Sequence, residues 1–171
     1  MRHTSRRHDE FTEVMRRYAD TVLRVCTLYL HRRADAEDAF QETFIKYAKA
    51  DVAFADEEHR KAWLIRVAAN TCKDVLKSAA ARTQLIGEDE EFAFGEAPGP
   101  ALEAQAVAHL DVSEALRQID GKYRLPLYLR YFEGYKAKEI AGLLGMPENT
   151  VYTNMARGKE KLKEVLSRGG A

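Results

Sequence analysis

The sequence predicts an all-α protein: two small helical domains joined by an acidic linker, the C-terminal one a helix-turn-helix. Three observations carry this. Apolar residues recur in steps of three and four on either side of a central gap, which is the spacing of a buried helical stripe. The gap, from Ala79 to about His109, combines acidic residues with Gly-Pro punctuation. Near the C-terminus two short periodic segments meet at Gly145, as in a helix-turn-helix.

The length of 171 residues suits one large domain or two small ones. With 46% hydrophobic and 32% charged residues, four Pro and ten Gly, the chain is too apolar to be disordered and too evenly charged for a membrane protein. It contains no apolar run of about 18 residues, so no membrane insertion is expected. The basic start MRHTSRRHDEF is not followed by the apolar stretch of a secretory signal. Cys26 and Cys72 lack metal-site or disulfide-scaffold spacing, and the expected location is cytoplasmic.

The net charge of zero conceals blocks. Residues 1–56 balance ten basic against ten acidic side chains, and residues 57–82 carry a net +3. Residues 83–114 hold eight acidic groups and no Lys or Arg, and residues 115–171 carry a net +5. Two basic segments around an acidic one suggest two modules that face polyanions, joined by a solvated linker.

The first domain, residues 8–80, reads as three helices. In the first, Phe11, Val14, Met15, Tyr18, Val22, Val25, Cys26 and Tyr29 form one stripe. The second starts at Asp35 as N-cap and buries Ala36, Ala39, Phe40, Thr43, Phe44 and Tyr47. Its opposite face carries Asp38, Gln41, Glu42 and Ile45, a polar-acidic stripe suited to a basic helical partner. The third, from about Glu57 to Ser78, buries Leu64, Val67, Ala68, Thr71 and Val75. Its other faces hold Arg60, Lys61, Trp63, Arg66, Asn70, Lys73 and Lys77. Cations for phosphates beside planar groups for bases suit single-stranded DNA, although Trp63 is equally readable as a core aromatic.

The linker, 81–111, lacks a core of its own. The second domain, 112–168, opens with a short helix that buries Val112, Leu116 and Ile119. Next comes KYRLPLYLRYFEG, with Leu125, Leu129 and Phe132 inward, Pro126 near the start and Gly134 at the end. A helix from Lys138 to Leu144 follows, with Ala141 at a close crossing, then Gly145 at the turn and Met146 beneath it. Pro147 and Glu148 open the last helix, which buries Val151, Met155, Leu162 and Val165 or Leu166. Outward lie Glu148, Asn149, Thr150, Tyr152, Thr153 and Asn154, placed for base edges. Lys138, Arg157, Lys159, Lys161 and Lys163 are the phosphate candidates.

Three stretches, in this order, resemble a known family. DAEDAFQETFIKYAK (35–49), AWLIRVAANTCKDVLK (62–77) and YRLPLYLRYFEGYKAKEIAGLLGMPENTVYTNMARGKEKL resemble the bacterial extracytoplasmic-function (ECF) sigma factors of the sigma-70 family. The resemblance implies a sigma factor that binds core RNA polymerase and directs it to promoters. Asp35, Asp38, Gln41, Glu42 and Ile45 would meet the clamp helices of the largest catalytic subunit, and the second domain the flap of the second. The third helix would melt and read the −10 element, with a flipped base received near Ala48–His59 and Asn70 and Asp74 as caps of that loop. The helix-turn-helix would read the −35 duplex, and the linker would thread toward the active-site and RNA-exit channels. Control by an anti-sigma factor is implied, because only five residues follow Leu166 and no built-in inhibitor is apparent.

The chain departs from the family at Tyr152, Thr153 and Asn154, where the usual pattern has a basic residue, Ser and Arg. A neutral tip implies an unusual −35 sequence, adenine-directed through Asn149 or Asn154. No catalytic constellation or metal spacing is seen among the scattered histidines, so a transcription initiation factor without cofactors is expected rather than an enzyme. Two other readings stand beside this one: a DNA-binding regulator that works without polymerase, and a sequestering adaptor that has kept the fold. DAEDAFQETF argues against the first, which has no reason to carry it.

Overall fold

The computed structural model describes residues 2–86 and 114–169, and all regular structure among them is helical. The chain divides into two compact units, Met1–Phe94 and Gly95–Ala171. In the first, α1 (Arg2–Tyr29), α2 (Arg33–Lys49) and α3 (Glu57–Ile86) each pack on the other two. In the second, a helical turn at 114–117 precedes α4 (Gly121–Tyr131), α5 (Ala137–Leu144) and α6 (Glu148–Gly169).

The core of the first unit follows the predicted stripes on α1 and, in part, on α2, where Phe40 and Tyr47 are half-buried. On α3 the buried face is rotated, so that Ile65, Ala69 and Cys72 join Leu64, Ala68 and Thr71 while Val67 and Val75 are half-buried. Val14, Tyr18, Val22, Val25 and Cys26 of α1 meet Ala36, Ala39, Thr43 and Phe44 of α2 and Leu64, Ile65, Ala68, Ala69 and Cys72 of α3. Cys26 and Cys72 are both free and fully buried, in contact across α1 and α3. The Cys72 thiol is pushed up, first by its hydrogen bond with Cys26 and then by burial. Burial also raises the Tyr29 hydroxyl to about 12, with Cys72 adding to the effect.

Three helix limits differ from expectation. The first helix starts at Arg2 rather than near Phe11. α2 begins two residues before Asp35: Ala36 N–H donates to the Arg32 carbonyl, and an Arg33–Glu37 pair at 2.7 Å spans its first turn. Asp35 therefore lies inside that turn, where a carboxylate opposes the positive end of the helix dipole. α3 runs on to Ile86, through residues that the sequence reading gave to the linker. Ala79, Ala80 and Ala81 are the best helix formers, and no Gly or Pro intervenes before Gly87. The rest of the linker, with Val112, lies outside the described residues.

In the second unit α6 packs on both α4 and α5. α4 is buried along most of its length, from Tyr123 to Leu129, and Pro126 sits near its start. After its last turn Gly134 takes φ 76°, while Tyr135 N–H reaches back to the Leu129 carbonyl. Gly145 takes φ 63° and ψ 41°, the left-handed conformation that the turn between α5 and α6 requires, and Met146 N–H closes on the Ala141 carbonyl. Val151 and Met155 are buried as predicted, Leu162 is half-buried, and of the two alternatives Val165 is half-buried and Leu166 exposed. Gly158 is an unpredicted core position, fully enclosed where α6 crosses α4.

Candidate functional site

Three surfaces carry the predicted site residues. On α2, Asp38, Gln41, Glu42 and Ile45 all lie exposed, opposite the buried Ala36, Ala39, Thr43 and Phe44. Asp35 flanks them and is half-buried. Ile45 is 45% exposed, an apolar residue at the C-terminal end of the polar-acidic strip. A basic helical surface with an apolar spot would complement it.

On α3, at about 100° per residue, Trp63, Arg66, Asn70, Lys73 and Lys77 fall on one face. Arg66, Asn70 and Lys77 are exposed, and Lys73 and Trp63 are half-buried. Trp63 packs edge-on against Tyr47 of α2 and Phe54 of the α2–α3 loop, with centroids 5.9 and 5.8 Å away. It therefore belongs to an aromatic cluster while keeping part of its surface open.

Arg60 and Lys61 step off that face, toward the bundle. Arg60 does not stand ready for a phosphate, contrary to the sequence reading. One Nη pairs with Glu57, the other with Glu10 of α1 at 3.1 Å, and the guanidinium lies 5.2 Å above the Phe54 ring. The reason is local: Glu10 and Glu57 approach one end of the bundle from two helices, and Arg60 is the cation between them.

Asn70 and Asp74 do not cap the receiving loop either. Both are exposed, and Asn70 stands about 20 Å along α3 from its start. Asp56 does that work, its Oδ1 accepting from His59 N–H at 2.7 Å. His59 Nδ1 in turn accepts from Ala55 N–H at 3.1 Å. Asp56 before a helix is the signal that sequence reasoning passed over.

Glu57 joins α1 to the start of α3. Tyr18 OH donates to its Oε2 at 2.7 Å, and Arg17 lies 3.3 Å from the same oxygen. The Tyr18 hydrogen bond foremost holds the Glu57 carboxyl below its ordinary value of 4.5; desolvation opposes this, and Arg60 and Arg17 assist. A carboxyl lowered in the folded state binds fewer protons there than in the unfolded chain. Its contribution is therefore full above about pH 4.5 and fades as pH falls through the folded value. Glu57→Gln should flatten the acid limb of the first unit's stability curve, with the two proteins converging at low pH. Urea midpoints measured from pH 3 to 7 check this, and parallel curves would refute it.

On α6 the outward side presents Glu148, Asn149, Thr150, Tyr152 and Thr153, all exposed, and Tyr152 is 54% exposed. Asn154 is half-buried at the edge. Thr153 Oγ1 donates to the Asn149 carbonyl at 2.9 Å, so its hydroxyl proton is committed within the helix. Among the described residues the first cation of α6 is Arg157, exposed two turns further on, and Lys138 of α5 is exposed as well. Lys159 and Lys161 lean back onto α4: their ammonium groups lie 5.2 Å from the Tyr131 ring and 5.7 Å from the Tyr123 ring.

A three-helix unit with an acidic-apolar face and a cation-amide-aromatic face is followed by a separate helix-turn-helix, the layout of the DNA-binding class of proteins. Residues 14–82 match the family model of sigma-70 region 2, and residues 109–162 match that of sigma-70 region 4. The chain is 30% identical over 172 residues to the ECF RNA polymerase sigma factor SigW of Bacillus subtilis, covering 92% of this chain and 89% of that protein. It is 29% identical over 169 residues to the RNA polymerase sigma-H factor of Pseudomonas aeruginosa, covering 91% and 86% respectively. Among solved structures it is similar to the sigma factor RpoE of Bartonella quintana, crystallised with the anti-sigma factor NepR. That likeness has a TM-score of 0.75 at 21% identity, over 92% of this chain and 97% of that one. It also resembles CnrH, solved with the cytosolic domain of CnrY, with a TM-score of 0.57 at 21% identity, over 94% and 90%. Both likenesses concern the fold.

The chain belongs to the sigma-70 family, among its ECF RNA polymerase sigma factors. It is a promoter-directing transcription initiation factor, a class of polymerase subunit that is not by itself an enzyme. No described helix is long and apolar enough to cross a membrane.

Proposed function

We propose that the two units divide promoter recognition, and that the three surfaces described above are the working ones. The α2 strip of Asp35, Asp38, Gln41, Glu42 and Ile45 docks on the clamp helices of the largest catalytic subunit. The α3 face of Trp63, Arg66, Asn70, Lys73 and Lys77 holds the melted −10 strand, and the α2–α3 loop takes an unstacked base. α6 enters the major groove at −35, with Lys138 and Arg157 on phosphates. The observation that carries this is the α2 strip: an acidic face that ends in exposed Ile45 has no role in a free-standing regulator.

The anti-sigma factor bound to RpoE supports one further element of the reading, control by an anti-sigma factor that masks these surfaces in the cytoplasm. The polymerisation chemistry itself belongs to the core enzyme. Run-off transcription with purified core polymerase on fragmented host genomic DNA tests the proposal. Discrete transcripts that depend on the protein are the expected result. Co-elution with core but no transcript favours the adaptor reading, and no binding to core favours the plain regulator.

The −35 reading yields a prediction of its own. Of the two amides on α6, Asn149 is on the outward face and Asn154 is half-buried, so Asn149 is the adenine reader. Asn149→Ala should lower run-off from the preferred −35 sequence by about tenfold, the scale of one well-read base pair, and relax selectivity at one position. Asn154→Ala should leave promoter preference unchanged. Transcription from a panel of −35 variants checks both, and equal effects of the two substitutions would refute the assignment.

A further inference from the structure

We infer that Arg60 is a positioning residue for promoter reading: it fixes the shape of the α2–α3 loop rather than touching DNA itself. The inference rests on the proposed reading in which that loop faces the melted −10 strand. The loop, residues 50–56, has two halves of different character. Asp51, Val52 and Ala53 are exposed, and Val52 is an apolar residue 41% exposed. Phe54, Ala55 and Asp56 are fastened to the bundle.

Phe54 is the principal fastening. Its ring stacks with Tyr47 at 6.1 Å, meets Trp63 edge-on at 5.8 Å and His59 at 5.4 Å, and is covered by the Arg60 guanidinium at 5.2 Å. The guanidinium is itself held from two helices, by Glu10 of α1 and Glu57 of α3, and its side chain is only 18% exposed. A cation paired with two carboxylates covers the ring, and most of its side chain is withdrawn from solvent and so from a phosphate. The chain of contacts Glu10–Arg60–Phe54 thus ties α1 to the loop. The Ala55–His59 and His59–Asp56 bonds fix the residues that follow. What remains outward is the stretch Asp51 to Ala53, exposed and joined directly to the fastened Phe54. A pocket for a flipped base needs such a preformed wall, because ordering a loose loop at the moment of binding would consume the discrimination.

The test uses the full-length protein with core polymerase. Open-complex formation is measured on templates carrying each of the four bases at each unpaired −10 position. Three variants are compared: Arg60→Gln, which loses the charge; Arg60→Lys, which keeps it; and Glu10→Gln, which removes one tether without touching α3. All are assayed well below their unfolding midpoints.

Arg60→Gln should keep core binding and the −35 preference. Its preference for the best −10 base should fall from about tenfold or more, the scale of one well-read position, toward about twofold. Arg60→Lys should restore part of that preference, and Glu10→Gln should lie between native and Arg60→Gln. Unchanged base preference in Arg60→Gln overturns the inference. So does an equal loss on all four bases with a salt slope reduced by about 1, the signature of a lost phosphate contact. If the native protein shows no base preference in the bubble, the −10 reading itself falls, and the inference with it.

Discussion

The variant Asp38→Lys/Glu42→Lys should lose co-elution with core RNA polymerase while its helical circular dichroism and unfolding midpoint stay within about a degree or two of the native protein. Both carboxylates are exposed on the α2 face opposite Ala36, Ala39, Thr43 and Phe44, so neither contributes to the core. They stand four residues apart as like charges and two lysines repel one another similarly, so the main change within the helix is Glu42 against Lys46, worth on the order of a few tenths of a kcal/mol. Against a basic partner each reversal replaces an attraction by a repulsion, at a cost of about 2–5 kcal/mol per close pair. The double variant should therefore bind core more than about a hundredfold more weakly. Asp38→Asn/Glu42→Gln, which only neutralises, should lose less, and high salt should narrow the difference. Fluorescence anisotropy of labelled protein titrated with core measures all three. Native-like binding by the lysine variant would show that polymerase is engaged elsewhere.

Gly158→Val should unfold the second unit and abolish binding to the −35 duplex while core binding through α2 survives. A Cβ built on Gly158 would lie 2.8 Å from Leu127 Cδ1 and 3.1 Å from Tyr123 Cβ. Leu127 and Tyr123 are 2% and 5% exposed, so neither has space to retreat into. Overpacking of this kind costs about 1–3 kcal/mol or more, and valine adds a branched side chain at the crossing of α4 and α6. A unit this small has a stability of only a few kcal/mol to lose. Gly158→Ala should be milder, because alanine recovers up to about 1 kcal/mol of helix propensity. Trp63, the sole tryptophan, lies in the first unit, so its fluorescence transition in urea should not move. The far-UV transition should lose its second-unit part. A full-amplitude far-UV transition would refute the prediction.

The helices were legible because periodicity is local, and the stripes on α1 and α2 can be counted along the chain. On α3 apolar residues lie on more than one face, and Ile65, Ala69 and Cys72 entered the core where Val67 and Val75 were expected. The α2 strip was legible for the same reason, being the complement of a buried stripe. The fate of Arg60 was not. Its partners are Glu10, fifty residues away, and Phe54 in an irregular loop, and no window of sequence displays that encounter. A cation near a helix start reads as available until a second helix brings a carboxylate to it. Lys159 and Lys161 repeat the lesson on α6. They count as phosphate candidates in sequence, and only the course of α4 sets Tyr131 and Tyr123 beneath them. Asn149 and Asn154 were equivalent on paper, and the packing of α6 separated them. Gly158 did leave a trace: a glycine inside an otherwise unbroken helical pattern costs about 1 kcal/mol against alanine, and a close approach of another helix accounts for it.

The two sealed thiols of the first unit make the protein its own stopwatch. Cys26 and Cys72 are its only cysteines, both fully buried, and alkylating reagents attack the thiolate of an accessible sulfur. Modification by iodoacetamide must therefore wait until α1 and α3 part. Its rate, read by mass spectrometry on unmodified native protein, times the opening of that bundle alone, and the same clock run in the presence of core polymerase registers how far docking on α2 slows it.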